Sequence, residues 1–291
     1  MLSLCILATS LGAYAQAPSK TLRTYIVAGQ SNAEGIGIGR NAAAYNVNPK
    51  QDLNSFGYGH YLTNTDRALV YKGHPDSGVG PGWSNLQASF GVQYELYQHN
   101  NNFFGPELAI GRELSHHLGE QIALIKYSKG ATSLAVDWDP TNPGNNCYDY
   151  LINTIVNSTQ AANVGNVALD IQGVFWMQGE SDSLDLNYAQ NYKANLLRFI
   201  STLRTKLGKP DLDIYVATIK DASVWTYRQL IWDAQQAVAD ADPHVYLIDA
   251  KTLETYASDP MHYTARGEVV LGQRFALQAL YDIANLGQVA W

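Results

Sequence analysis

Beyond residue 19 the chain alternates short unbroken apolar runs with longer stretches whose apolar residues recur every three to four positions. The unbroken runs read as strands buried on both faces: Tyr25-Ile26-Val27-Ala28, then 122–127, 167–177, 212–219 and 245–248. Between them, 106–118, 148–162, 187–207, 227–239 and 264–284 carry helical periodicity. Pro106 falls in the first turn of the first of these and Gly119 just past its end, where each residue is best tolerated. Strands alternating with helices predict an α/β fold, a three-layer sandwich whose central, mostly parallel sheet is covered on both faces. No repeat, linker or low-complexity stretch divides the chain, so residues 16–291 are expected to form one domain.

From Gly35 to Gly105 the rhythm breaks. The segment is rich in Gly, Asn, Tyr and Pro, and only 67–71 reads as a strand. Long irregular segments in compact domains usually carry function, and this one follows directly on a polar turn, so a wall of a site is expected there. At the other extreme, the apolar stretch Leu2 to Leu11 ends in Ala13-Tyr14-Ala15. That is the pattern of a signal peptide cut after Ala15, although a positive leading region is missing; a buried N-terminal helix is the alternative. Export, to the periplasm or outside the cell, follows. The stretch is too short to cross a bilayer. Removal of the leader takes Cys5 with it and leaves Cys147 alone, without a disulfide.

Composition narrows the partners. The chain carries a net charge of −7, only 15% charged residues and no basic run, which disfavours nucleic acid and anionic membrane surfaces. Nineteen Tyr and six Trp in a weakly charged chain suit stacking on sugar rings, or simply fill the core.

Four polar turns fall at strand ends, where open α/β sheets bind ligands. Gly29-Gln30-Ser31-Asn32 follows the first strand; Ser31 is a nucleophile in the right place or an ordinary helix cap. Lys129-Gly130-Ala131-Thr132-Ser133-Leu134 follows the second and offers a backbone N–H at Gly130. Trp176-Met177-Gln178-Gly179-Glu180-Ser181-Asp182 offers an amide donor in Gln178 and two carboxylates, which can equally cap the next helix. The carboxylates lack the nearby His and the spacing of a metal site, so no metal and no cofactor is expected. Finally, Asp259-Pro260-Met261-His262 can set a carboxylate beside Nδ1 of His262 and free Nε2 to act as a base. Each is ambiguous alone. Together they supply nucleophile, oxyanion donors, base and base-orienting acid, the parts of an acyl-transfer site.

These four blocks, in this order, resemble those of the SGNH hydrolases, and within them the acetyl xylan esterase and sialate O-acetylesterase-like carbohydrate esterases. Gly105-Pro106-Glu107 and Leu271-Gly272-Gln273-Arg274-Phe275-Ala276 are similar to that branch as well. The resemblance runs from about Tyr25 to Ala276. It implies a flavodoxin-like fold and metal-free hydrolysis of acetyl esters on carbohydrate, xylan or a related polysaccharide, with sialate as the alternative. It further implies Ser31 as nucleophile, His262 as base and Asp259 as its partner. The oxyanion would rest on Ser31 N–H, Gly130 N–H and the Gln178 side chain. Gln30, Asn32 and Glu180 would support the site, Glu180 by bracing the Gln178 loop, and Trp138 would line the acyl pocket or join the core. Ala131 departs from the usual Gly-Gly-Thr-Ser block and would be strained if that turn needs a positive φ. Rival readings are a lipase or thioesterase on the same fold, a non-catalytic sugar-binding protein, and a nucleotide binder; the last lacks a phosphate loop, since Gly35-Ile36-Gly37-Ile38-Gly39 has the wrong spacing. Oligomeric state and the acetyl position preferred are not encoded in any pattern found.

Overall fold

The structure is a computed structural model that describes residues 17–39, 52–63, 65–91, 102–142, 144 and 146–291. The predicted leader, residues 1–15, lies outside them. Among the described residues no helix is long and apolar enough to cross a membrane, and Cys147 is a buried free thiol.

A seven-stranded sheet organises the chain. Its strands are β1 (Lys20–Gly29), β3 (Thr65–Lys72), β4 (Trp83–Leu86), β6 (Ile122–Ser128), β7 (Val167–Met177), β8 (Asp213–Ala217) and β9 (Val245–Ile248), in the order β4-β3-β6-β1-β7-β8-β9. All neighbours pair in parallel except β4, which closes the edge antiparallel to β3. Two short strands, β2 (Gly37–Ile38) and β5 (Phe103–Phe104), pair with each other, and β10 (Thr255–Tyr256) pairs with β11 (Asp259–Tyr263). The helices are α1 (Ser31–Glu34), α2 (Glu107–Leu118), α3 (Cys147–Val164), α4 (Leu186–Leu207), α5 (Arg228–Ala239) and α6 (Ala265–Ile283).

Period-two alternation on β7 sorts the core into two layers. Phe175 points to the α6 side, 5.1 Å from Phe275, and continues a row of stacked rings across four strands: Tyr25, Phe175, Tyr215, Tyr246, at 5.3, 4.9 and 5.4 Å. Trp176 points the other way, against Phe199 of α4 and Trp138, at 4.4 and 5.0 Å. Helix ends follow the local sequence. Asn146, Asp185 and Thr264 each accept from an N–H three residues on, and Gly119 and Gly208 end α2 and α4 in the left-handed region.

The 35–105 segment holds more strand than its pattern predicts. β4 has buried or half-buried residues only at its two ends, Trp83 and Leu86, because it is an edge strand with one covered neighbour. The Asp259–His262 turn likewise proves to be strand β11 of a hairpin.

Beneath α1 lies a buried ionic cluster. Lys126 is fully buried and pairs with Glu107 at 2.5 Å, while both carboxyl oxygens of Glu268 are buried without a partner. Burial, then the charge of Glu107, pushes the Glu268 carboxyl well above its ordinary value, which favours its protonated form in the folded protein. Between about pH 4.5 and that raised value the unfolded chain has released this proton and the folded chain has not, so Glu268 lowers stability as pH rises. Glu268→Gln is therefore expected to raise the thermal midpoint at pH 8 by at least about 2 °C, with the gain vanishing towards pH 4.5. Thermal melts across that range measure it; a midpoint lowered at pH 8 would show that Glu268 is charged and useful there.

Candidate active site

β1 ends at Gly29 against β7. A Cβ on Gly29 would lie 1.9 Å from the carbonyl oxygen of Met177, and φ there is 141°, so only glycine lets the chain turn into α1 this close to its neighbour strand. Ser31 opens α1 and keeps 9% exposure.

His262 sits on β11. Its Nδ1 lies 2.6 Å from Asp259 Oδ2, and Asp259 Oδ1 accepts the N–H of Met261 at 3.1 Å. Partial burial would raise the Asp259 carboxyl, but the His262 hydrogen bond and charge outweigh it and hold the group below its ordinary value. An ionised Asp259 at Nδ1 fixes the ring's orientation and tautomer.

Asn32 joins the two halves. Its Nδ2 donates to the carbonyl of Met261 at 3.1 Å, and its Oδ1 accepts the N–H of Tyr263 at 3.2 Å. The residue after Ser31 is thus bonded to both chain neighbours of His262. Asn32 Nδ2 also donates to Glu180 Oε1 at 2.8 Å. Glu180 is fully buried, and burial raises its carboxyl, with the Asn32 bond opposing. Glu180 therefore braces Asn32 rather than the Gln178 loop. Among the described residues no hydrogen bond yet joins Ser31 Oγ to His262; such bonds are often long without substrate and tighten with it.

Two expected oxyanion donors are otherwise engaged. The Gln178 amide is fully buried, and its Nε2 donates to Asp182 Oδ2 at 2.7 Å, Thr132 O at 3.1 Å and Gln30 Oε1 at 3.3 Å, while Oε1 accepts from Tyr192. With all those acceptors facing it, Nε2 has no N–H left for substrate. Gly130 N–H donates to Glu34 Oε2 at 3.1 Å. Gln30, in contrast, uses Oε1 to accept from Ser181 N–H at 3.2 Å and from Gln178, which leaves Nε2 as the donor end of its amide. Trp138 is fully buried and donates to Thr132 Oγ1 at 2.9 Å, so it belongs to the core and does not line an acyl pocket. Ala131 has φ 57°, which realises the strain its sequence position suggested.

With this geometry in view, comparison with known proteins is informative. Residues 21–281 match the model of the carbohydrate esterase, sialic acid-specific acetylesterase family. The chain belongs to that family. A probable carbohydrate esterase of Arabidopsis thaliana is 30% identical over 175 residues, an aligned stretch covering 59% of this chain and 62% of that relative, under two thirds of its length. Two solved structures share the fold: an Arabidopsis thaliana protein (TM-score 0.67, 23% identity, 89% of this chain and 98% of the other) and NanS (0.61, 16%, 93% and 100%).

Sequence reasoning overlooked two residues of this esterase-family site. Asp182, one of the two carboxylates for which capping of the next helix was an open reading, accepts Leu134 N–H at 2.7 Å and Ala135 N–H at 3.0 Å, and so ties the loop after β6 to the loop after β7. Glu34 was signalled only by its place three residues after Ser31, one helical turn away. Asn32→Ala should leave Glu180 and two backbone groups without partners, a loss of about 1–3 kcal/mol for each buried group. Thermal unfolding together with turnover of an aryl acetate tests it. A fall in both is expected, and wild-type turnover would show that Asn32 does not hold His262.

Proposed function

We propose that this chain is a serine esterase that removes acetyl groups from carbohydrate, acetylated xylan or a related polysaccharide, through an acyl-serine at Ser31. The observation that carries the reading is Asn32, which binds both neighbours of His262 while adjoining Ser31 in the chain. His262, steered by Asp259, takes the proton of Ser31 as Oγ attacks the acetyl carbonyl, then returns it to the departing sugar hydroxyl. Water, activated by the same His262, releases acetate. The oxyanion rests on Ser31 N–H and, replacing the donors first expected, on Gln30 Nε2.

Acetylated sialate is the second reading, favoured by the family's description. Against it, the lysines on the β3–β6 side of the site are already engaged: Lys126 with Glu107, Lys129 with Asp76, and Lys72 with the Gly91 carbonyl. A sialate carboxylate would have to compete for them, whereas a neutral sugar needs none.

Acetate release from acetylated xylan, O-acetylated sialic acid, peptidoglycan and a long-chain aryl ester, by wild type and Ser31→Ala, tests the reading. Acetate from xylan alone, lost in Ser31→Ala, is expected. Sialate as the preferred substrate would favour the second reading, and an active Ser31→Ala would end the acyl-serine mechanism. Fluorophosphonate labelling of Ser31 separates an esterase from a sugar-binding protein that has kept the fold.

Gln30→Ala should lower kcat on an aryl acetate about 100-fold with little change in KM, the size typical for one oxyanion donor. A kcat within twofold of wild type would remove Gln30 from the oxyanion hole.

A further inference from the structure

Glu34 is the last residue of α1, one turn beyond Ser31 on the same helix. It is 8% exposed and tied to β6 by its backbone and to the turn after β6 by its side chain. Its carbonyl accepts Lys126 Nζ at 2.8 Å, and its carboxylate accepts Gly130 N–H at 3.1 Å. Burial raises the Glu34 carboxyl above its ordinary value, and Lys72 of β3, Lys126 of β6, the Gly130 N–H and Lys129 oppose that rise. Glu107 of α2 neutralises Lys126 from the far side.

Immediately after Gly130 comes Ala131, at φ 57°. An L-residue is strained there, and the hydrogen bond that Gly130 N–H gives the Glu34 carboxyl oxygen holds the turn against that strain. What the turn carries matters to the reaction. Thr132, one residue further, presents its carbonyl to Gln178 Nε2, and Gln178 in turn holds Gln30 Oε1. A continuous chain of contacts thus runs from Glu34 through the 130–132 turn and Gln178 to Gln30.

We propose that Glu34 is a positioning residue of the acyl-transfer site: it takes Gly130 N–H away from the oxyanion and uses it to lock the strained 130–132 turn that sets Gln178 and Gln30. This rests on the reading of Ser31 as nucleophile and Gln30 as oxyanion donor. It also means that Glu34 does not merely sit in the way of an arriving acyl oxygen.

The test compares Glu34→Ala, Glu34→Gln, Ala131→Gly and the Glu34→Ala/Ala131→Gly pair in the full chain, by kcat and KM on an aryl acetate and by thermal melts. Glu34→Ala should lower kcat about tenfold, equivalent to roughly 1.4 kcal/mol, with KM within twofold. Glu34→Gln keeps an oxygen acceptor for Gly130 and should recover most of that loss. Ala131→Gly adopts the left-handed turn without strain, so adding it to Glu34→Ala should restore kcat to within about threefold of wild type. Turnover unchanged or faster in Glu34→Ala would overturn the proposal in favour of a blocking role, and so would a pair no faster than Glu34→Ala alone. If Glu34→Ala does not fold, Glu34→Gln is compared with and without Ala131→Gly; a loss in Glu34→Gln that Ala131→Gly leaves in place overturns it too. Fluorophosphonate labelling of Ser31 in each variant keeps the two failures apart: no labelling in wild type strikes at Ser31 itself, whereas normal labelling with no Glu34 effect strikes only at Glu34.

Discussion

The carboxamide of Asn32 is the joint on which the site depends. A serine on the first strand's turn and a histidine 231 residues later have no local reason to lie near one another. One amide joins their chain segments, with its donor side on Met261 O and Glu180 and its acceptor side on Tyr263 N–H. Three polar groups, Met261 O, Tyr263 N–H and Glu180 Oε1, find a partner in this one side chain, which offsets the cost of taking them out of water. Glu180 matters because it fixes which end of the amide is which. With Met261 O and Glu180 Oε1 facing Nδ2 and Tyr263 N–H facing Oδ1, the flipped orientation would lose both contacts to the His262 strand.

The same logic governs the side of the site near β3 and β6, with charges instead of amides. Lys126 is a fully buried ammonium, tolerable only because Glu107 and the Glu34 carbonyl face it. Lys72 pairs with Lys126 in the sheet register, and burial followed by that like charge lowers its ammonium to about 8. Glu34 is drawn into this company and anchors Gly130 from it. The turn that follows β6 is therefore held from two directions, by Glu34 on one side and by Asp182 through Leu134 and Ala135 on the other.

Much of this was legible in the chain. The strands with continuous apolar runs and the long helices lie where their periodicity puts them, because burial on both faces or along one stripe leaves a direct trace in residue type. β4 left none, since an edge strand with polar central residues buries too little to be patterned. The Asp259–His262 pair was legible because its partners are three residues apart. The placing of Gln178, Gln30, Glu34 and Trp138 was not. Each depends on contacts between residues 46 to 148 positions apart or, for Trp138, on which side of the sheet it packs. A motif names residue types that chemistry needs; it does not say which of two neighbouring glutamines has a free hand.

That distinction follows from counting hydrogen-bond capacity. An amide nitrogen carries two N–H groups, and Gln178 Nε2 faces three acceptors, one of them a carboxylate at 2.7 Å. Turning it towards a substrate would strip Asp182 of a charge-assisted bond and unmake the loop it holds, which exceeds what a single oxyanion contact returns. The Gln30 oxygen accepts twice, so the orientation of its amide is fixed before any substrate arrives. Oxyanion stabilisation depends on donors that need no reorganisation at the moment charge develops. Gln178, fully buried and bonded to Gln30 Oε1, is thus the residue that sets the orientation of the Gln30 amide.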